Sequence, residues 1–129
     1  MRNISIFLIL VVSFFSFIHA AQSQHKTIEY KDLIGRWVRP DGGYVLHFKA
    51  VNDDGSIDAE YLNPNPINVS MAKVSNRSDK IDIFVELRDI GYPGSFYTLV
   101  YEPDRDRLVG VYHHLVHKQN YDIYFVRAQ

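Results

Sequence analysis

The chain has 129 residues, 14 Lys and Arg against 15 Asp and Glu, no cysteine, and 47% hydrophobic residues. That length holds one domain rather than two. The near-balance of charge excludes an electrostatic nucleic-acid binder, which needs a clear basic excess. The lack of Cys excludes disulfides, thiolate metal sites, a Cys nucleophile and a lipidated N-terminal Cys.

The hydrophobic residues are unevenly spread. Residues 4–18 (ISIFLILVVSFFSFI) contain no charge, Gly or Pro. With Arg2 before it and small residues after it, this run has the layout of a secretory signal peptide, and it is short of the ~20 apolar residues that span a bilayer. Residues 1–20 are expected to be a signal peptide cleaved after Ala20, with Ser23 as a second cleavage position. The mature protein is expected to be exported, periplasmic or secreted, with no membrane association after cleavage. Residues 21–32 read as a polar N-terminal leader and residues 33–129 as a β-barrel domain. All nine Tyr and the single Trp lie beyond the signal, and aromatic and β-branched residues favour strands.

In chain order, residues 35–39 form the first expected strand, ended by Pro40-Asp41-Gly42-Gly43. Residues 44–51 alternate, with Tyr44, Leu46, Phe48 and Ala50 on one face. Asn52-Asp53-Asp54-Gly55 is a hairpin turn, and residues 56–62 put Ile57, Ala59 and Tyr61 together. Asn63-Pro64-Asn65-Pro66 is expected to break the ladder, because proline supplies no N–H. Residues 67–74 change the parity of their apolar positions near Met71, the mark of a bulge. Residues 81–87 alternate cleanly, and residues 89–94, with Gly91, Pro93 and Gly94, are expected to be a loop. Residues 95–102 align Tyr97, Leu99 and Tyr101; residues 107–114 align Leu108, Gly110 and Tyr112; the last run aligns Tyr121, Ile123 and Phe125. No stretch shows sustained helical periodicity, and no segment is long enough for parallel crossovers. The expectation is an all-β, eight-stranded antiparallel up-and-down barrel, which removes both sheet edges. A seven- or eight-strand sandwich is the alternative.

Asp32-Leu33-Ile34-Gly35-Arg36-Trp37 resembles the Gly-x-Trp entrance to the first strand of calycins, the group that unites lipocalins, fatty-acid-binding proteins and avidin-like proteins. That resemblance implies barrel closure by Gly35, Trp37 and a basic residue on the last strand. Arg127, which shares the parity of Tyr121, Ile123 and Phe125, fits that role. Within the group the chain is most similar to the streptavidin and avidin branch, over residues 33–61 and especially Asp54-Gly55-Ser56-Ile57-Asp58-Ala59-Glu60-Tyr61. Tyr61 falls where that branch places a Tyr that hydrogen-bonds the biotin ureido oxygen. Arg39 and Gly43 stand where Asn and Ser would hold the same group, and one Trp cannot build the branch's Trp cage. The resemblance therefore implies the barrel without a retained biotin site.

The inward aromatic set is Trp37, Tyr44, Phe48, Tyr61, Tyr97, Tyr101, Tyr112, Tyr121 and Phe125. Six are Tyr, and a buried phenol needs a partner, so some hydroxyls should meet water, one another or a ligand. Arg39, Tyr44, Tyr61, Tyr97, Tyr112 and Tyr121 are the ligand-binding candidates, and a mouth lined this way suits a planar or anionic small molecule. Glu86, Arg88, Asp89, Tyr92, Pro93 and Gly94 are either an outward ion pair with a rigid turn or part of a functional loop at the same mouth, and Asn63-Pro64-Asn65-Pro66 either rims the mouth or only connects strands. His113, His114 and His117 form an H-H-x-x-H run, but strand neighbours point to opposite faces, leaving only His113 with His117 as a pair, and no metal site is assigned. No nucleophile-plus-base motif is present, so no catalytic residue is assigned and no cofactor is implied. Asn68-Val69-Ser70 and Asn76-Arg77-Ser78 match the glycosylation sequon.

Three classes of function fit. The first is an exported barrel binding a small, partly apolar ligand at its mouth. The second is a solid barrel serving as a protein-interaction or homo-oligomeric assembly module, using the outward apolar residues Val45, Phe84, Val109, Val111 and Tyr124. The third is an enzyme with catalytic residues scattered in sequence. None of the three involves nucleic acid.

Overall fold

Alternation with period two decides the architecture, because it gives each strand one apolar face to bury. The computed structural model describes residues 27–129; the expected signal peptide and the first half of the leader lie outside the described residues. A 3-10 turn, Tyr30–Leu33, leads into β1 (Gly35–Val38), β2 (Val45–Val51), β3 (Ile57–Asn63), β4 (Asn65–Ile67), β5 (Val69–Arg77), β6 (Lys80–Asp89), β7 (Tyr92–Glu102), β8 (Arg107–His114) and β9 (Gln119–Arg127). All pairings are antiparallel, and the sheet order is β4-β3-β2-β1-β9-β8-β7-β6-β5. The sheet curls so that its two ends meet at a thin seam. There Ser56 bridges Lys73, and the Val74 N–H donates to the Gly55 carbonyl at 2.7 Å. The result is an all-β, nearly closed antiparallel barrel.

The strand count is nine, not eight. The Pro-rich segment folds back on β3, pairing Asn65 with Asn63, Pro66 with Leu62 and Ile67 with Tyr61. β4 has a sheet neighbour on one side only, and an open edge tolerates a missing N–H. Residues 89–94 are also not a loop. β6 runs to Asp89 and β7 starts at Tyr92, leaving Ile90-Gly91 as the turn, while Gly94 and Ser95 together face Leu87 across a bulge. Gly94 sits at φ +98°, so the Gly–Pro cluster shapes a bulged strand instead of interrupting it. A second register shift lies between Val69 and Met71, where the apolar parity changes.

The core consists of the inward positions of these strands. Trp37, Leu46, Phe48, Val85, Leu87, Tyr97, Leu108 and Phe125 are all fully buried, as is Leu33 from the 3-10 turn. The end of the polar leader belongs to the fold, for Ile28 and Tyr30 pack against this core. One barrel end is closed by side chains. The Arg127 guanidinium lies 4.2 Å from the centroid of the Trp37 ring. It donates to the carbonyls of Ile34 at 2.9 Å and Asp32 at 2.6 Å, and to Asp106. The Trp37 indole N–H donates to the Leu33 carbonyl at 2.9 Å. Gly35, at φ +138°, lets the chain turn from the 3-10 segment into β1, and a Cβ there would come within 2.9 Å of Arg127 Nη1. Tyr101, half-buried, belongs to this closed end: its ring meets Trp37 edge-on and its hydroxyl donates to Asp106 at 2.9 Å.

On the outer face, Val45, Phe84, Val109 and Val111 are half-buried and Tyr124 is exposed. The Lys73 ammonium lies 5.5 Å from the Phe84 ring centroid and the Arg107 guanidinium carbon 5.4 Å from that of Tyr124, so a cation faces each ring.

Gly110 faces inward between Leu108 and Tyr112, and a Cβ added there would fall on the Thr98 carbonyl and within 2.9 Å of Leu99 Cα. Both obstacles are backbone of the paired strand β7 and cannot rotate away. Gly110→Ala is expected to destabilise the barrel by ~3 kcal/mol, the upper end of usual overpacking costs. Urea denaturation of the purified protein checks this, and an unchanged midpoint would show that β8 has room to move.

Candidate functional site

The open end of the barrel is set by where the strands stop. β1 ends at Val38, and Arg39 follows with its side chain turned inward, only 7% exposed. Its Nη1 donates to the Tyr97 hydroxyl at 2.9 Å, and its Nε and Nη2 donate to the two Asp41 carboxylate oxygens at 3.0 and 2.6 Å. The guanidinium carbon lies 4.5 Å from the Tyr44 ring centroid, 5.9 Å from that of Tyr97 and 5.8 Å from that of Tyr112. The Tyr97 hydroxyl also meets the Tyr61 hydroxyl at 3.0 Å. Asp41, Arg39, Tyr97 and Tyr61 thus form one continuous polar chain running from solvent into the lumen. Among the described residues, no buried side-chain nitrogen or oxygen lacks a partner.

The rings around this chain fill the upper lumen. Tyr97 stacks on Tyr112 at 4.6 Å and meets Phe125 edge-on at 5.3 Å. Tyr61 lies parallel to Tyr44 and edge-on to Tyr92, at 6.2 and 6.3 Å. Tyr61 and Tyr97 are essentially inaccessible, whereas Tyr44 and Tyr92 are half-buried at the mouth. Asn63, at the end of β3, donates to the Tyr92 hydroxyl. Ser95, from the β7 bulge, is buried and accepts the Leu115 N–H at 3.1 Å, pinning the β8–β9 turn to β7.

Electrostatics follow from burial and pairing. Burial works against the charge of Arg39, but Asp41 and Tyr97 more than offset it and raise its pKa above the ordinary Arg value. The Arg39 guanidinium in turn holds the Asp41 carboxyl below its usual range. Burial pushes Tyr97 up to about 12, with the Tyr61 and Arg39 hydrogen bonds pulling the other way. Tyr61 and Tyr112 are also raised, chiefly by burial. At neutral pH the phenols keep their protons. The cluster offers a fixed cation, aromatic faces and neutral hydrogen-bonding hydroxyls.

Five of the six sequence-predicted residues come together: Arg39, Tyr44, Tyr61, Tyr97 and Tyr112. Tyr121 does not. It is 42% exposed and its hydroxyl donates to Gln119. β1 pairs with β9 only at Val126 and Arg127, so the wall is missing opposite Tyr121 and its ring stands at the rim. Asp41 belongs to the expected turn Pro40-Asp41-Gly42-Gly43, and that turn, closed by the Gly42 and Gly43 N–H groups on the Arg39 carbonyl, brings its carboxylate onto Arg39. Tyr92, expected on a loop that could belong to the mouth, reaches it from strand β7 instead, and Ser95, the first residue of the strand expected over 95–102, carried no signal that would have singled it out.

The remaining motifs have other work. Glu86 accepts hydrogen bonds from Ser70 and Arg88, and Asp89 accepts the Asn68 and Ile90 N–H groups, so these acids tie β5 to β6 and shape the turn. The pair of histidines brought together is His114 with His117, at 4.4 Å, not His113 with His117. His113 lies outside, stacked on Phe96 and bonded to Thr98 and Asn120. Among the described residues, no group of three or more His, Asp or Glu side chains converges. Two hollows lie away from the tyrosine cluster. One, of about 350 Å³, runs over Lys73, Phe84 and Thr98 on the outer wall, and one of about 990 Å³ lies near Ile28, Lys80 and Arg105 at the closed end. Compared with protein-family models, curated proteins and solved structures, the chain matches none.

Tyr97→Phe removes the hydroxyl shared by Arg39 and Tyr61 and should cost about 1–3 kcal/mol in urea denaturation at neutral pH. The phenols also set an alkaline limit. In the unfolded chain a Tyr ionises near pH 10, but Tyr97 holds its proton to about 12 when folded. This stability is complete below about pH 10 and declines as pH rises through the Tyr97 value. Tyrosinate absorbance is expected to show a late, cooperative step coincident with unfolding. Smooth titration of every Tyr near pH 10, with the fold intact, would contradict the burial assigned to Tyr61 and Tyr97.

Proposed function

We propose that the protein is an exported calycin-type barrel that binds a small, partly apolar ligand at its tyrosine-rimmed mouth. The calycin reading is supported by the resemblance at Gly35-Arg36-Trp37, the next-neighbour strand order and the Arg127 cover on Trp37. Export rests on the apolar run at residues 4–18. The observation that carries the binding reading is Arg39, a buried cation framed by three Tyr rings directly beneath the open end. Buried charge surrounded by aromatic faces, with half-exposed rings above it, is the composition of a small-molecule site: mostly apolar lining with a few placed polar groups. The ligand sits above Tyr61 and Tyr97, since those rings occupy the lumen below.

A second reading, an assembly or interaction module, is favoured by the apolar residues on the turns at the same end. Ile90 is 96% exposed, and Leu115 and Val116 are also exposed. Exposed apolar residues gathered at one end mark a contact surface.

Native mass spectrometry of the gently purified protein separates the two. A small-molecule adduct that is lost on denaturation, and whose occupancy falls about tenfold or more in Tyr44→Ala, is the expected result. A bare protein that sediments as a dimer, and becomes monomeric in Ile90→Asp with Leu115→Asp, would put the assembly reading in its place.

A further inference from the structure

We propose that Asp41 is a stand-in for the ligand's own anionic group, and that the mouth takes a small flat carboxylate which displaces Asp41 from Arg39. This rests on the mouth-binding reading and names the ligand class and the element that yields.

The two partners of this ion pair are unequal. The Arg39 side chain is 9% exposed and that of Asp41 57% exposed. The cation is part of the barrel interior; the anion reaches it from solvent. The Asp41 carboxylate engages the Nε–Nη2 edge of the guanidinium with one oxygen on each nitrogen, the fork geometry by which arginine recognises any carboxylate. Nη1 is held separately by the Tyr97 hydroxyl, and the Arg39 backbone N–H by the Tyr44 carbonyl. Departure of Asp41 therefore leaves the guanidinium in place, with its forked edge facing the mouth. Such a buried cation strongly favours a replacement anion over none.

Asp41 also has a way to leave. It lies in the turn between β1 and β2, followed by Gly42 and by Gly43 at φ +69° with open space around its Cβ direction. Apart from a contact with its own backbone N–H, the Asp41 carboxylate is bonded to Arg39 two residues away. A change confined to this turn frees the edge without disturbing β1 or β2. Tyr44 and Tyr112, which already flank the guanidinium, supply faces for a flat apolar body attached to the incoming carboxylate. A neutral ligand has no means of replacing Asp41, and the fork matches a carboxylate because one occupies it.

The test uses benzoate and its neutral isostere benzamide, titrated into the isotopically labelled protein and followed by amide and Arg side-chain NMR shifts. In the wild type, benzoate is expected to bind weakly, with shifts at Arg39, Tyr44 and Tyr112, and benzamide more weakly still. In Asp41→Asn, which keeps an oxygen near Arg39 but removes the competing charge, benzoate is expected to bind roughly tenfold more tightly or better, with no gain for benzamide. If both probes bind at the mouth equally and ignore Asp41→Asn, the carboxylate inference falls and mouth binding stands. If neither probe binds either protein, both fall. Benzoate shifts centred away from Arg39 overturn the inference as well. Should Asp41→Asn not fold, the wild-type contrast decides: a preference for benzoate of about fivefold or more supports displacement, and equal binding overturns it.

Discussion

The guanidinium of Arg127 holds the N-terminal 3-10 turn, β1, β9 and the turn before β8 around one indole. Its importance comes from the thinness of the ladder beside it. β1 and β9 share only two residue pairs, Trp37 with Arg127 and Val38 with Val126, whereas β8 and β9 share eight. Beyond those two pairs the backbone adds the Ala128 N–H donating to the Arg36 carbonyl at 2.8 Å, so the ladder at this joint stays short. The side chain adds donations to the Asp32 and Ile34 carbonyls, a carboxylate contact at Asp106 and a face on the Trp37 ring. Hydrogen bonds to a charged group are stronger than neutral ones, and a partly desolvated cation on an indole adds to them. The rest of the barrel hangs from a joint made by side chains where the backbone supplies little.

A second arginine repeats the arrangement at the opposite end with one difference. Arg39 also lies against aromatic rings and also meets a carboxylate from a turn. The acid of Arg127 lies 21 residues away in sequence, so that pair links distant chain segments. The acid of Arg39 is two residues away, so its contact stabilises a local turn and joins nothing else. Losing the first opens the barrel wall; loosening the second changes only the mouth. One end of the molecule is built as a fastening and the other as a surface whose charge can be re-paired.

Much of this was legible in the residues. Ile81, Ile83, Val85 and Leu87 are buried as their alternation requires, and the shared parity of Arg127 with Ile123 and Phe125 placed it inward. The inward placing of Tyr44, Tyr61, Tyr97 and Tyr112 also followed from parity, whereas Arg39 was singled out by the resemblance at the first hairpin. What failed did so where local chemistry outweighs pattern. β4 carries prolines that forbid a central strand but not an edge, and Gly94 at positive φ marks a bulge as readily as a loop. Tyr121 has inward parity on a strand whose neighbour is too short to cover it, and strand length cannot be read from parity. The Arg39–Asp41 fork depends on the shape of one turn, which spacing alone does not give.

The pairing of β1 with β9 bears on how the molecule is made. Arg127 reaches back to a carbonyl 93 residues earlier, and the first wall of the barrel has no second neighbour until the last strand exists. Contacts this distant are slow to form, because the intervening chain must be ordered before they reward it. The hairpins from β5 to β8 can assemble as they appear, but β1 and the Trp37 ring stay uncovered until the chain is complete. A chain lacking β9 thus presents an unfinished sheet edge and an uncovered indole, the kind of surface that makes incomplete folds prone to aggregate. Such a topology holds off its own completion until the last strand is present to cover the first.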